Sequence, residues 1–325
     1  MQVSECLVTG SNGFIGSHLV ESLAADPLNH VHAVFHNDYQ NLTALKDLVA
    51  FHKVDFCDKN SVFRLLAECK PEILFHLASI SSIPFSWQNP SLVFDINVKG
   101  TINLLEAVRQ AGIDPTIIVT CSSSEYDPTF RVPLKEDSRL RPNSPYAVSK
   151  VAQDFIAGFY ADAYCLKVVR VRPFFIIGPR QVTGACADFA RGIVCIEHKL
   201  QEKLHVGNLN SVVDVLDVRD TVDGLILLAK RGEMGKIYNL SSGKGYTIKQ
   251  LLDLMISLSQ SKVEIQIDPT RFRPKDYGAL VGDNSRLRQL GWAAHVPIET
   301  TLRDIMDFWR KEFKTDSLAR KELTD

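Results

Sequence analysis

The segment from Cys6 to Ala25 constrains the fold more than any other stretch of the chain. Cys6-Leu7-Val8-Thr9 is a short apolar run, Gly10-Ser11-Asn12-Gly13-Phe14-Ile15-Gly16 is a glycine-rich turn, and 18–25 carries an amphipathic helical pattern. A strand, a tight glycine turn and a helix start, in that order, aim backbone N–H groups and a helix dipole at a point that glycine lets an anion approach. The pyrophosphate of a dinucleotide suits such a point. Downstream, apolar runs at 31–35, 73–77, 117–121 and 166–171 alternate with helical patterns at 60–69, 92–111 and 147–163. This alternation predicts right-handed βαβ units and an α/β, Rossmann-like fold: a doubly wound, mostly parallel sheet with the nucleotide at the carboxyl ends of its strands.

After Pro173 the alternation loosens. A helix over 187–198, strands near 203–208 and 236–240, and a last helix over 298–311 are expected, and Thr247 with Gln250 reads as a capping box opening a helix over 248–258. The division predicted is a NAD(P)-binding domain over 1–173 plus about 212–240, a smaller C-terminal α/β substrate domain over 174–211 and 241–315, and a frayed tail over 316–325. Lys plus Arg number 37 against 38 Asp plus Glu, which gives no field favouring nucleic acid or an anionic membrane. The seven cysteines are scattered without a C-x-x-C, so neither a disulfide framework nor a metal site is expected, and reduced thiols in a cytoplasmic protein are the plain reading. No basic-apolar leader and no membrane span are read from the sequence.

Tyr146-Ala147-Val148-Ser149-Lys150 places a phenol and an ammonium one helical turn apart. A phenol with a pKa near about 10 is a weak acid or base at neutral pH, and a neighbouring cation would draw it toward the working range. The pair alone is common on helix surfaces. Its weight comes from following both the glycine turn and the strand-then-serine segment Ile117 to Ser124.

With those residues in place, the chain resembles the extended short-chain dehydrogenase/reductase family of nucleotide-sugar enzymes over roughly 3–312. The markers are Gly10 to Gly16, His76-Leu77-Ala78-Ser79, Asn97-Val98-Lys99-Gly100-Thr101, Ser122 with Tyr146 and Lys150, Arg172-Pro173-Phe174, Gly178-Pro179, Asp217-Val218-Arg219-Asp220 and Leu290-Gly291-Trp292. Within the family it looks most like the reductases of GDP-4-keto-6-deoxymannose, through 121–126, 188–191 with 206–209, and 271–276 before 281–283. The resemblance implies that Tyr146 donates a proton to a ketone oxygen, Lys150 holds the ribose and supports the phenolate, and Ser122 bonds the same oxygen. It implies cofactor contacts from Gly10, Asn12, Gly13, Phe14, Ile15, Gly16, His36, Asp55, Phe56, Leu77, Ala78, Ser79, Cys121, Pro173, Phe175 and Ile176. Substrate contacts are expected from Ser79, Ser122, Ser123, Ser124, Phe175, Arg180, Phe189 and Arg273. Asn97 either holds a water in a proton relay or bonds backbone at a helix kink, and Asp55 either contacts adenine or caps a turn.

The same resemblance leaves several reactions open. Sugar 4,6-dehydratases place a glutamate where this chain has Ser124, and Glu125 is one residue late, which counts against dehydration. A 4-epimerase uses the same Ser, Tyr and Lys, and a non-catalytic NADP(H)-binding regulator would have no need of them. At the end of the second strand His36 replaces the acidic residue that bonds the ribose of NAD, so NADP(H) is favoured over NAD(H), with Asp38 the competing NAD partner. Phe175 and Val213 stand where relatives carry asparagine and arginine toward the sugar and its diphosphate, and Arg180 or Arg273 would have to compensate. A homodimer is expected through helices 92–111 and 147–163, with Ile102, Leu105, Val108, Phe155, Phe159 and Tyr160 as seam or as core.

Overall fold

In a computed structural model describing residues 4–272 and 278–322, β1 (Ser4–Thr9) is fully buried after its first two residues, as a central parallel strand covered on both faces must be. It is followed by α1 (Phe14–Ala24), β2 (Asn29–Phe35), β3 (Ala50–Lys53), α2 (Lys59–Cys69), β4 (Ile73–His76), α3 (Ile83–Gln88), α4 (Pro90–Phe94), α5 (Gly100–Ala111), β5 (Thr116–Thr120), α6 (Pro145–Tyr164) and β6 (Val168–Pro173). The remainder comprises β7 (Phe175–Ile177), α7 (Ala185–Glu197), β8 (Lys203–Val206), β9 (Val212–Asp217), α8 (Val218–Arg231), β10 (Ile237–Leu240), β11 (Gly245–Thr247), α9 (Ile248–Ser257), β12 (Glu264–Ile267), β13 (Ala279–Leu280), α10 (Ser285–Gln289) and α11 (Ile298–Glu322).

Seven strands form an all-parallel sheet in the order β10-β6-β5-β4-β1-β2-β3, the doubly wound arrangement expected from the alternating pattern. One face buries Val8, Val31, Ala33 and Val171 beneath α1 and α8. The other buries Leu7, Val34, Leu74 and Val119 beneath α2, α5 and α6. A second sheet is built on β9, which pairs with β7, β11 and β13, and a third apolar core there joins α7, α9 and α11 around Phe189, Leu251 and Ile305. Strands β8 and β12 pair separately. The capping box at Thr247 forms as expected: Thr247 Oγ1 accepts from Gln250 N at 3.0 Å and Gln250 Oε1 accepts from Thr247 N at 2.8 Å.

Two helices differ from the sequence pattern. The helix expected over 92–111 is broken into α4, a π turn at Asp95–Lys99 and α5. At that turn the Asn97 amide bonds both the N–H and the carbonyl of Ile80, so the ladder widens where a side chain leaves it for another segment. The last helix runs past 311 to Glu322, along residues of good intrinsic helix propensity, so 316–322, expected as part of a frayed tail, are helical instead. Among the described residues no helix is long and apolar enough to cross a membrane.

The Asp217 to Asp220 motif fastens the C-terminal segment to the sheet. Asp217 caps α8 and accepts from Thr301 Oγ1 at 2.6 Å; the Asp220 carboxylate accepts from His295 N and Val296 N, and its carbonyl accepts from Trp292 Nε1 at 3.1 Å. Trp292 is buried in the first core. Trp292→Ala should therefore cost about 3–5 kcal/mol, read as a lowered urea midpoint with an unchanged slope.

Candidate active site

The glycine turn has the shape an anion cradle requires. Gly10 sits at φ +65°, and a Cβ there would meet Ala78 N at 2.8 Å; a Cβ on Gly16 would lie 2.2 Å from Gly10 O. Gly13 is the N-cap of α1, with no side-chain cap and no acidic residue in the first turn, whereas α2, α6, α8 and α9 are each capped by a side chain. The opening N–H groups of α1, at Phe14 and Ile15, thus keep the donors that a pyrophosphate uses. These residues fit a dinucleotide cofactor.

Around this turn the remaining cofactor candidates take defined places. Asn12 Nδ2 donates to Asp38 Oδ1 at 2.7 Å, and Asn12 Oδ1 accepts from Asn41 N, so the loop after β2 is tied to the glycine turn. His36 is exposed at the end of β2. Asp55 caps a turn by accepting from Cys57 N at 2.8 Å, the second of its two expected roles, while Phe56 is buried with its ring 5.8 Å from that of His76. Leu77, Ala78 and Ser79 follow β4 and are partly buried; Leu77 N and Ala78 N both donate to Thr9 Oγ1.

Ser144 caps α6 by accepting from Ala147 N at 3.1 Å, Pro145 occupies the first turn, and Tyr146 and Lys150 then project from one buried face. The Ser122 hydroxyl hydrogen-bonds the Tyr146 phenol and accepts from Ser124 N at 3.1 Å. Lys150 Nζ donates to Thr120 O at 2.8 Å and to Gln153 Oε1 at 2.7 Å. The expectation that the lysine draws the phenol toward neutral pH is not met in this structure. Burial pushes Tyr146 up to about 12, only partly opposed by the Ser122 bond, and the same burial brings Lys150 down to about 8. Tyr146 is thus held as a proton donor.

A chain of buried groups links this lysine to the glycine turn, and sequence reasoning did not find it. Gln153 Nε2 donates to Thr101 Oγ1 at 2.9 Å, and Thr101 passes its own proton to Asn97 O at 2.7 Å. Thr101 must then also accept from His76 Nε2 at 2.9 Å, which leaves His76 Nδ1 to accept from Thr9 Oγ1 at 2.9 Å. Burial and the Lys150 charge hold His76 neutral, its pKa brought down to about 3. The one sequence signal was Gln153 at i+3 from Lys150. Asn97 bonds Ile80 and Ser149, so it acts as the structural residue at the kink, one of its two expected roles.

Glu125 is turned away from Ser122's hydroxyl as expected, but through a 3-10 turn at Ser123–Glu125 and not through the alternation of an extended segment. Its Oε1 accepts from Ser122 N at 2.7 Å, completing a capping box. Its other oxygen lies 3.0 Å from Arg172 Nε, whose N–H is aimed at Asp154 Oδ2. Desolvation, with Asp154 beside it, raises Glu125 well above the usual carboxylate range, opposed by Arg172. Cys121 is buried alongside.

Substrate candidates divide. Ser123 is buried and Ser124 partly so at the mouth of this segment; Phe175 begins β7, next to Pro173 at the end of β6; Ile176 lies in the first core. Phe189 packs inside the third core, and Val213 on β9 packs against it. Arg180 turns to α1, where its Nη2 donates to both Glu21 oxygens at 2.6 and 2.7 Å, so its charge is already engaged by a carboxylate. Arg219 is likewise held, by Asp217 and Asp304. Arg273 lies outside the described residues.

Comparison with known proteins is consistent with this geometry. The family model described as GDP-mannose 4,6 dehydratase matches residues 7–305. A GDP-6-deoxy-D-mannose reductase of Pseudomonas aeruginosa is 31% identical over 314 residues, covering 95% of this chain and 98% of the relative. The structure of RMD from Pseudomonas aeruginosa complexed with NADPH superposes with a TM-score of 0.84 at 29% identity, over 95% of this chain and all of that one. A Thermus thermophilus UDP-glucose 4-epimerase complexed with NAD superposes with a TM-score of 0.84 at 30% identity, over 94% and 98% of the two chains.

The lowered Lys150 value sets a pH dependence. The ammonium that supports a developing phenolate is present below about 8 and lost above it, so kcat for carbonyl reduction should be flat near neutrality and fall as pH rises through about 8. Gln153→Leu removes an acceptor that favours the charged lysine, and should move that fall to lower pH in the kcat profile.

Proposed function

The chain belongs to the GDP-mannose 4,6-dehydratase family, within the extended short-chain dehydrogenases/reductases, and we propose that it reduces a nucleotide-linked 4-keto-6-deoxyhexose, a GDP sugar, at the expense of a nicotinamide cofactor. The observation that carries the reading is the Ser122 to Glu125 segment. Elimination of water across the sugar's C5 and C6 needs a carboxylate beside the ring; Ser124 stands at that place, and Glu125 is turned into the buried Asp154–Arg172 pair. What remains is a constellation that handles one proton at one carbonyl.

When bound, the cofactor supplies the hydride. Ser122 and Tyr146 bond the ketone oxygen, Tyr146 releases its proton to that oxygen as charge develops there, and Lys150 stabilises the phenolate left behind and holds the ribose. Gly10, Gly13 and Gly16 with the start of α1 hold the pyrophosphate. NADP(H) is the proposed cofactor: Asp38, the alternative partner for a free ribose, is tied to Asn12, while His36 stands exposed where a 2′-phosphate would lie. The proposed division assigns 1–173 and about 212–240 to the cofactor and 174–211 with 241–315 to the sugar nucleotide. A cytoplasmic location suits seven cysteines that are all free.

Epimerisation at C4 is the second reading, supported by the likeness to the NAD-bound epimerase and by an Ser122, Tyr146 and Lys150 set that serves both reactions. Stoichiometry separates the two. Mixing the protein with GDP-4-keto-6-deoxymannose should consume NADPH, faster than NADH, and add two hydrogens to the sugar; an epimerase would consume neither and keep NAD through purification. Tyr146→Phe should lower kcat by roughly a hundredfold or more, within the usual range for loss of a general acid, while cofactor affinity stays within a few-fold. Turnover that survives this change would remove Tyr146 from the mechanism.

A homodimer is proposed across α5 and α6. Of the six seam candidates, Leu105, Val108 and Tyr160 are buried in the protomer's own core and Ile102 is partly buried, whereas Phe155 and Phe159 are 63% and 57% exposed, with Val148 beside them. Two aromatic side chains so exposed on one helix mark a docking face. Phe155→Glu with Phe159→Glu should halve the mass seen by light scattering and leave the circular dichroism unchanged; an unaltered mass would place any dimer elsewhere.

A further inference from the structure

Three histidines, a cysteine and a glutamate converge on one face of β1, β2 and β3: Glu5 and His30 near the amino ends of β1 and β2, His32 in the middle of β2 and His52 one residue before the end of β3. The parallel register pairs Glu5 with His30 and Val34 with His52, and His30, His32 and Val34 alternate along β2, so all these side chains leave the sheet on the face that α2 covers. Cys69, the last residue of α2, comes down onto them.

The hydrogen bonds settle which atoms are available. Glu5 Oε2 accepts from His30 Nδ1 at 2.8 Å and from His32 Nε2 at 2.9 Å. A carboxylate can only accept, so His32 carries its proton on Nε2 and presents the lone pair of Nδ1. That lone pair points at His52 Nε2, 2.9 Å away, and His52 Nε2 is 3.8 Å from Cys69 Sγ. All three atoms lie within 4.8 Å of one another. Around a tetrahedral zinc ion, ligand nitrogens sit about 3.3 Å apart and nitrogen and sulfur about 3.6 Å apart. Two of the spacings, 2.9 Å between the nitrogens and 3.8 Å from His52 to Cys69, lie within about 0.4 Å of those values, and the third, His32 to Cys69, is within 4.8 Å. Its second shell is already in place, because a metal-bound histidine ordinarily gives its other N–H to a carboxylate. Among the described residues the other buried cluster of this kind, Cys121 with Glu125 and Asp154, has Arg172 within it and no histidine.

We propose that His32 Nδ1, His52 Nε2 and Cys69 Sγ bind a zinc ion, with Glu5 orienting His32 and water completing the shell on the exposed side. Two imidazoles and a thiolate select zinc over magnesium or calcium. The ion would clip the edge strand β3 and its neighbour β2 to the end of α2, so its effect falls on stability and leaves the reaction untouched. The local spacing of cysteines gave no sign of it, since the ligands come together only through the sheet.

The full chain, stripped with chelator and titrated with cobalt(II), should develop tetrahedral d–d bands and a thiolate-to-metal charge-transfer band that saturate near one equivalent and vanish on adding zinc. Cys69→Ser should abolish the charge-transfer band, His52→Ala should weaken uptake at least tenfold, and zinc should raise Tm in the parent protein but not in either variant. Absence of tetrahedral bands overturns the site. So does a charge-transfer band that persists in Cys69→Ser, and d–d bands without one in the parent protein would move the ion to Glu5, His30 and His32 and overturn this ligand set.

Discussion

Arg172 and Asp154 form the contact through which the parts of the catalytic centre are held to one another. Arg172 lies on β6 and is 2% exposed; Asp154, on α6 one turn past Lys150, receives its Nε and Nη2 and also Nη1 of Arg170. The same guanidinium donates to Glu136 O, stands 4.8 Å from the Tyr126 ring centre and lies against Glu125, which caps Ser122. One buried cation therefore sets the height of α6 over the sheet and the position of the serine segment. A buried charge left without its partner costs several kcal/mol, roughly 3–5 when one member is removed, so the cluster tolerates little rearrangement. The distance between Ser122 and Tyr146 inherits that stiffness.

Reductase, epimerase and dehydratase share this frame, and what sets dehydration apart here is where one carboxylate points. Glu125 is close in sequence to the place a dehydratase uses, yet the turn at Ser123–Glu125 sends the side chain down into the cation cluster. Burial there, with Asp154 alongside, raises its pKa. A group so placed stabilises a loop and has no access to a sugar ring.

How much could be read beforehand follows from the range over which each signal acts. The glycine turn, the alternation of strands and helices, the Thr247 cap and the Tyr146/Lys150 spacing are local patterns, and all are present in the structure. A kink at Asn97 was one of two readings open from the sequence, but its form as a π turn at Asp95–Lys99 and its partner Ile80 were not legible. Nor were the Thr9–His76–Thr101–Gln153 chain or the engagement of Arg180 by Glu21, whose partners are far apart in sequence. The phenol is not lowered as the Tyr146/Lys150 spacing predicts, because desolvation of the buried ring outweighs what its neighbours supply.

The two bonds made by Lys150 have a consequence for the way a cofactor is received. An ammonium on a four-carbon stem ordinarily swings and spins, and a ligand that captures it must freeze those motions at a cost of up to about 2 kcal/mol. Here Thr120 O and Gln153 Oε1 already take two of its three N–H groups, and Gln153 is itself fixed by Thr101. The third N–H is left with a single direction in space. Its torsional freedom was surrendered when the chain folded, so a ribose hydroxyl arriving on that line meets a donor that no longer has to be found.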